Sequence, residues 1–286
     1  ASYLGEHENV FMSALKEPHY FATDFIDFRP YYVKSESEYL ALFQGVTERQ
    51  LAIGEASVWY LYSQHAARNI YAFDSTAKII VMLRNPVELI YSLYSQYLYS
   101  MVEEAATFSE AWRLQDDRAS GKKLPPAVRR TDQSARLMQY GQIGKLGYQV
   151  KQLFEIFPTH NVKIFLHDDL LKSTRNVYVE ALQFLGIPDD GRKSFPRINE
   201  NKQNRSQVIA NLTQYTPTSL WLKSALSVFG IKNTGVLRLL QRFNANKTRR
   251  DPLSPEMKAD LHAYFREDIH LLSDLINRNL DHWLVD

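Results

Sequence analysis

The sequence predicts an α/β fold with a central parallel sheet and a helical C-terminal part. Four short apolar segments, each separated from the next by a helix-like stretch, have the spacing of parallel strands joined by crossover helices. They are residues 9–13 (NVFMS), 51–55 (LAIGE), 78–83 (KIIVML) and 161–167 (NVKIFLH). The chain has 286 residues, a length that suits one large α/β domain or two small ones. We expect a single domain over 1–286, with an α/β core in 1–190 and a mainly helical part in 191–286.

Several segments carry the signals of helices that would cover this sheet. Residues 35–45 begin with Ser35 and carry Glu38 three positions later, which is the capping-box pattern. Residues 174–188 reach Gly186 and then Pro188, which is typical of a helix end. Apolar residues also recur at helical spacing in three longer segments. These are residues 57–71, 145–158 and 253–284, and two short helices are expected within 218–245.

Two stretches interrupt this alternation of strands and helices. Residues 116–136 are polar and basic and contain a Gly and a Pro-Pro pair, so the sequence predicts a long surface loop there. Residues 187–206 form a second irregular segment.

Composition narrows the classes of function. The formal net charge is only +2, whereas a nucleic-acid binder would show a strong basic excess. The chain has no cysteine, which excludes disulfide frameworks, thiolate zinc sites and cysteine nucleophiles. No metal-ligand spacing, signal peptide or apolar stretch near the ~20 residues of a membrane helix is evident. We expect a cytoplasmic protein without a membrane span, a metal site or a nucleic-acid partner.

A cation stands where the third predicted strand meets a helix start. Arg84 follows the apolar run, Asn85 is a favourable N-cap residue and Pro86 suits the first helical position. Ligands bind at the carboxyl ends of parallel strands, and a helix N-terminus favours an anion. Ser92 lies about two turns further along the helix. The pattern predicts a phosphate site, and a salt bridge between Arg84 and a carboxylate such as Glu88 is the alternative interpretation.

Residues 83–97 (LRNPVELIYSLYSQY) resemble the 3′-phosphate-binding element of sulfotransferases that use 3′-phosphoadenosine 5′-phosphosulfate (PAPS). Four other segments resemble that family in its order. They are residues 12–25 (MSALKEPHYFATDF), 54–61 (GEASVWYL), 143–158 (IGKLGYQVKQLFEIFP) and 166–188 (LHDDLLKSTRNVYVEALQFLGIP). Val58 stands where Pro is usual, and Leu146 where Tyr is usual. The resemblance implies a three-layer fold like that of P-loop NTPases, PAPS as co-substrate and no metal.

The resemblance also implies roles for individual residues. Arg84 and Ser92 would bind the 3′-phosphate. In the bacterial, glycan-type branch the Glu of a Lys-Glu pair is the general base, which implies this role for Glu17 and charge stabilisation by Lys16. His19 is the rival base, because histidine titrates near neutral pH and the cytosolic branch uses one.

Three further elements are weaker candidates. Ser57 follows Glu55 at a strand end and either borders the cofactor or the acceptor, or caps a helix. Arg249 and Arg250 belong to a late basic cluster that would cover the nucleotide, or else to a solvated linker. Residues 121–130 (GKKLPPAVRR) are either a lid over the acceptor site or a plain surface loop.

One element of the family pattern is missing from the printed sequence. The family begins with a strand and a Pro-Lys-x-Gly-Thr-Thr-x-Leu loop that cradles the 5′-phosphosulfate, and this sequence starts just after the place where that loop would end. We expect the loop to lie upstream of Ala1. A protein that does not hold the donor in the usual way is the alternative.

The resulting hypothesis is a PAPS-dependent sulfotransferase. Its acceptor would be a hydroxyl or amine of a carbohydrate, lipid or natural product, that is, a small molecule or glycan. A degenerate member that binds a nucleotide or partner without catalysis is a second hypothesis, and a small-molecule kinase on the related scaffold is a third. The sequence specifies neither the acceptor nor the oligomeric state.

Overall fold

The computed structural model describes residues 1–25, 32–126, 128, 135–196, 203–204, 245–246 and 251–285. The chain divides into two compact units. The first comprises Ala1–Pro86, Lys145–Pro196 and His262–Asp286, and the second comprises Val87–Gly144 and Arg197–Leu261. The expected single domain with a boundary near residue 190 stays a prediction.

Two pairs of parallel strands lie in the first unit. β1 (Val10–Met12) pairs with β2 (Ala52–Gly54), and β3 (Ile79–Leu83) pairs with β4 (Val162–Leu166). Each strand lies inside a segment that the sequence predicted as a strand. Among the described residues no ladder joins one pair to the other. A short antiparallel pair, β5 (Gln203–Asn204) with β6 (Ala245–Asn246), belongs to the second unit.

Ten α-helices and four 3₁₀ turns complete the described part of the chain. The helices are α1 (Glu36–Ala41), α2 (Ala66–Phe73), α3 (Pro86–Tyr99), α4 (Phe108–Arg113), α5 (Gln115–Ala119), α6 (Tyr140–Gly144), α7 (Leu146–Ile156), α8 (His167–Lys172), α9 (Thr174–Leu185) and α10 (Pro255–Ile276). The 3₁₀ turns are Leu4–Glu6, Thr23–Phe25, Thr159–Asn161 and Asp281–Trp283.

Two helix termini form as their sequence signals predict. The Ser35 hydroxyl accepts the Glu38 N–H at 3.3 Å, and the Glu38 carboxylate accepts the Ser35 N–H at 3.3 Å, which completes the capping box of α1. Gly186 ends α9 with φ 77°, in the left-handed region where a residue without Cβ is least strained.

The helix predicted over residues 57–71 is wrong in its first half. Residues 58–62 form turns, and α2 begins only at Ala66. The Ser63 hydroxyl accepts the Ala66 N–H at 3.0 Å and donates to the buried Asp24 carboxylate. Asp24 also accepts the Gln64 N–H at 3.0 Å. This distant carboxylate fixes the start of the helix, which apolar periodicity does not indicate.

The surface loop predicted from residue 116 is also wrong in its first part. Residues 115–119 form α5, and Arg118 within it is only 1% exposed. Its guanidinium pairs with both oxygens of the buried Glu103 at 2.7 Å, so the polar composition reflects an internal ion pair. Residues 187–196 contain no regular element, as expected, and residues 205–244 lie outside the described residues.

Both strand pairs of the first unit pack on α9. Leu182 belongs to a buried cluster with Val10 of β1, and Ala181 belongs to a second cluster with Phe165 of β4. Leu4 contacts both clusters. Each large aliphatic side chain buried in this way contributes about 1.5–3 kcal/mol. One helix therefore supports the two pairs whose carboxyl ends carry the predicted site residues.

No helix in the described ranges is both long enough and apolar enough to cross a bilayer.

Candidate active site

The carboxyl ends of β1 and β2 bring together four of the residues predicted from the sequence. Lys16, Glu17 and His19 follow β1, and Ser57 follows β2. Parallel neighbours end at the same edge of a sheet, so both loops leave from one edge. The His19 N–H donates to the Ser57 hydroxyl oxygen at 3.0 Å, which joins the two loops directly.

The backbone of this turn is strained. Glu17 and His19 have φ values of 57° and 53°, a left-handed conformation that costs residues with a side chain about 1–3 kcal/mol each. The Ser57 hydroxyl holds one end of the turn, and the Val33 N–H donates to the Pro18 carbonyl between the two strained residues at 3.0 Å. Strain of this kind persists only where the surroundings enforce it, and it is concentrated at active sites.

Glu17 combines an ionised carboxylate with access to solvent. Its Oε2 lies 3.7 Å from His19 Nε2, and its Oε1 lies 3.5 Å from Lys16 Nζ. The interaction with His19 lowers the pKa of Glu17, burial opposes this effect, and the Lys16 charge lowers the pKa further. The side chain of Glu17 is 29% exposed, whereas that of His19 is 1% exposed. Of these two groups, the Glu17 carboxylate is therefore the more accessible to solvent.

A second carboxylate, Glu55, is linked to the turn through the hydroxyl of Ser57. The Ser57 hydroxyl donates to Glu55 Oε2 at 2.9 Å. Burial raises the pKa of Glu55, and the neighbouring Tyr60 and Ser57 hydroxyls partly offset that effect. Glu55 therefore acts on the turn through Ser57, as an acceptor that orients the hydroxyl oxygen towards the His19 N–H.

Two buried polar atoms of this cluster lack hydrogen-bond partners. They are Oε1 of Glu55 and Nδ1 of His19, and the described residues contain just one other such side-chain atom. The His19 ring lies against the Tyr32 ring, with centroids 4.3 Å apart, and edge-on to Tyr60 at 6.1 Å. Tyr60 belongs to the family-like segment 54–61, whereas no motif indicated Tyr32.

Of the predicted phosphate residues, Arg84 lies where strand and helix meet, and Ser92 lies within α3. Arg84 is half-buried directly after β3, and α3 begins at Pro86. Ser92 is half-buried on α3 and belongs to the second unit. Their shared role in binding a phosphate stays a prediction.

The remaining candidates are only partly described. Arg249 and Arg250 lie outside the described residues, as do positions 127, 129 and 130 of the proposed lid. In the described ranges, no three His, Asp or Glu side chains are grouped as metal ligands would be.

The sulfotransferase domain family model matches residues 15–272. The chain belongs to the sulfotransferase domain family. The solved sulfotransferase structure from Alicyclobacillus acidocaldarius superimposes with a TM-score of 0.68, covering 98% of this chain and 91% of that one at 24% identity. This likeness confirms the predicted α/β fold of the P-loop type, with a helical C-terminal part.

Two curated sulfotransferases are similar over parts of their length. The membrane-associated sulfotransferase kil1 of Dictyostelium discoideum is 32% identical over 99 residues, which is 35% of this chain and 19% of that protein. The bifunctional heparan sulfate N-deacetylase/N-sulfotransferase 1 of Caenorhabditis briggsae is 22% identical over 260 residues, which is 85% of this chain and 28% of that protein. The matched region spans less than a third of either relative.

Proposed function

We propose that this sulfotransferase-family protein transfers a sulfuryl group from PAPS to a hydroxyl or amine of a carbohydrate, lipid or natural-product acceptor. The observation that carries the proposal is the Glu17 carboxylate. It is held in a strained turn at a sheet edge, its pKa is lowered by His19, and it is partly open to solvent. An ionised carboxylate in this position is suited to accept a proton.

Glu17 is the proposed general base. Its carboxylate takes the proton of the acceptor hydroxyl or amine as the acceptor atom forms its bond to sulfur. The bond between sulfur and the 5′-phosphate oxygen breaks, and adenosine 3′,5′-bisphosphate leaves. When bound, PAPS supplies the sulfuryl group and this leaving group.

Lys16 and His19 have supporting roles in this scheme. Lys16 Nζ is 81% exposed and 3.5 Å from the Glu17 carboxylate, so it is free to turn towards charge developing on the transferring group. His19 is buried against Glu17 and holds its carboxylate in place. The rival assignment of His19 as the base is therefore the weaker one.

The residues proposed to bind the donor have the chemistry that a phosphate requires. Arg84 presents a guanidinium at the end of β3, and α3 begins two residues later with backbone N–H groups that favour an anion. Arg84 and Ser92 are the proposed ligands of the 3′-phosphate. Ser57 is proposed to border the site, and Arg249 and Arg250 are proposed to cover the nucleotide.

The decisive experiment follows labelled sulfate from PAPS to a panel of glycan, lipid and phenolic acceptors. Glu17→Gln should lower turnover by about 10²-fold or more, the typical loss for a general base, and leave affinity for adenosine 3′,5′-bisphosphate nearly unchanged. Glu8→Gln is the matched control, because Glu8 is also acidic but is exposed and pairs only loosely with Arg49. Full turnover in Glu17→Gln would contradict its role as the base and would support His19 instead.

A melting assay tests the donor. Adenosine 3′,5′-bisphosphate should raise the melting temperature more than ATP does, because only the former carries a 3′-phosphate for Arg84. The reverse order would favour the kinase hypothesis. Stabilisation by the bisphosphate without transfer to any acceptor would favour the non-catalytic hypothesis.

A further inference from the structure

The C-terminal turn reaches the ends of two strands at once. Trp283, in the 3₁₀ turn Asp281–Trp283, is only 2% exposed. Its indole Nε1–H donates to Asp168 Oδ2 at 2.8 Å. Asp168 follows β4 after a single intervening residue. The indole is therefore anchored to the carboxyl end of β4.

The same tryptophan is bound by the neighbouring strand. The Asn85 side-chain amide donates to the Trp283 carbonyl at 3.2 Å. Asn85 directly follows Arg84 at the end of β3, and β3 is the parallel partner of β4, with Leu83 opposite Leu166. One residue of the C-terminal turn is thus hydrogen-bonded to residues at the carboxyl ends of both strands. We refer to Asp168, Trp283 and Asn85 together as the C-terminal clamp.

Two further contacts hold the turn in this position. The Asp169 carboxylate accepts hydrogen bonds from both terminal nitrogens of Arg278, and the Nη2 to Oδ1 distance is 2.9 Å. His282 Nε2 lies 3.0 Å from Asp168 Oδ2. Burial raises the pKa of Asp168, but the hydrogen bonds from His282 and Trp283, together with the charge interactions with His282 and His167, bring it below its usual value. Trp283 therefore donates to an ionised carboxylate, which makes a stronger bond than a neutral acceptor would.

We infer that the C-terminal clamp positions Arg84 and so determines how strongly the protein prefers a nucleotide that carries a 3′-phosphate. Asn85 is bonded to Arg84 through one peptide unit, so fixing the Asn85 side chain restricts the direction in which the guanidinium leaves the strand. A guanidinium that binds phosphate with two parallel bonds tolerates displacements of only about 0.5 Å. The inference rests on the proposed function, because it assumes that Arg84 binds the 3′-phosphate.

The test compares the affinities of the full chain for adenosine 3′,5′-bisphosphate and adenosine 5′-monophosphate, measured by calorimetry. Asn85→Ser retains a good N-cap residue for α3 but removes the amide that reaches Trp283. Trp283→Phe retains an aromatic ring but loses the donor to Asp168. The matched control is Asn279→Ser, an exposed asparagine of the same C-terminal segment whose amide contacts Asp281.

Asn85→Ser should weaken binding of the bisphosphate by about five- to tenfold, the effect of one impaired charged hydrogen bond, and change monophosphate binding by less than about twofold. Trp283→Phe should act in the same direction, and Asn279→Ser should change neither affinity. An equal loss for both nucleotides in Asn85→Ser would indicate a purely structural contact and overturn the inference. Unchanged affinities would overturn it as well.

Arg84→Ala separates the inference from the proposal on which it rests. If Arg84→Ala abolishes the preference for the bisphosphate and Asn85→Ser does not, only the positioning role of the clamp is overturned. If Arg84→Ala leaves the preference intact, the assignment of the 3′-phosphate site itself is wrong.

Discussion

Two glutamates with buried carboxylate oxygens, Glu55 and Glu103, differ in how completely those oxygens are paired. Glu103 accepts two hydrogen bonds from Arg118 at 2.7 Å and one from the Tyr140 hydroxyl at 2.8 Å. It also accepts the backbone N–H of Ala105 at 2.9 Å. Burial alone would raise the pKa of Glu103, but these donors lower it. Glu55 has a buried oxygen without a partner, and burial raises its pKa.

We infer from this difference that Glu103 has a structural role and that Glu55 supports the candidate site. A carboxylate that is fully paired inside a protein stabilises one packing arrangement and has no oxygen left for a ligand. The Glu55 carboxylate is incompletely paired, and it contacts Ser57, which in turn holds the strained His19. Incomplete pairing beside a strained turn is expected where binding or catalysis competes with stability.

The largest effect is expected for the fully paired carboxylate. Arg118→Leu removes the partner of a buried charge and should lower the free energy of unfolding by about 3–5 kcal/mol in urea denaturation. The control is Lys123→Ala, which breaks a pair with Asp117 of 2.6 Å that is largely exposed. It should cost less than about 1 kcal/mol. Equal losses in the two variants would show that burial of the Glu103 pair is irrelevant to stability.

A third carboxylate, Asp268 of α10, lies at a close contact between α10 and the first turn of α7. It accepts the Gly147 and Tyr148 N–H groups at 2.8 and 2.9 Å, and a Cβ at Gly147 would overlap the Asp268 carbonyl oxygen. Gly147→Ala should therefore lower the free energy of unfolding by about 1–3 kcal/mol. Gly54→Ala is the control, since a Cβ there meets only Met12 Sδ at 3.6 Å. A neutral Gly147→Ala would contradict the close helix contact.

A smaller effect, on catalysis, is expected at the incompletely paired carboxylate. Ser57→Ala breaks the link between Glu55 and the His19 N–H, and it should lower turnover about fivefold, the value of one net hydrogen bond. Ser57→Thr keeps the hydroxyl and should restore most of the turnover. Affinity for adenosine 3′,5′-bisphosphate should stay within about twofold in both variants. A selective loss of that affinity in Ser57→Ala would instead make Ser57 a nucleotide contact.

The smallest effect concerns the pH dependence of stability. Because the folded state raises the pKa of Glu55, ionisation of this group costs stability as pH rises above its unfolded value of about 4.3. Glu55→Gln removes this cost, so its stability relative to wild type should increase as pH rises above about 4.3. Glu103 behaves oppositely: its contribution is present above about pH 4.3 and is lost as pH falls through its lowered folded value. A Glu55→Gln advantage that grows towards acid pH would contradict this assignment.

Local patterns predicted most of the regular structure. All four strands of the first unit lie in predicted segments, and Ser35 and Gly186 act as the helix boundaries that their residue types indicate. The two wrong predictions have a common cause. The start of α2 depends on Asp24, 39 residues before Ser63 in the chain, and the burial of Arg118 depends on Glu103.

The residues of the candidate site also fall into those predicted from a local segment and those whose contacts join distant parts of the chain. Lys16, Glu17 and His19 are close in the chain, and they were predicted because their segment, residues 12–25, resembles the sulfotransferase family. The support from Ser57 comes from 38 residues away, and the contact between Asn85 and Trp283 spans 198 residues. Helix periodicity, capping and strand composition are properties of neighbouring residues and can be read directly from them. Burial, pairing of carboxylates and strain arise only when the folded chain brings distant groups together, because they depend on what surrounds a side chain in space.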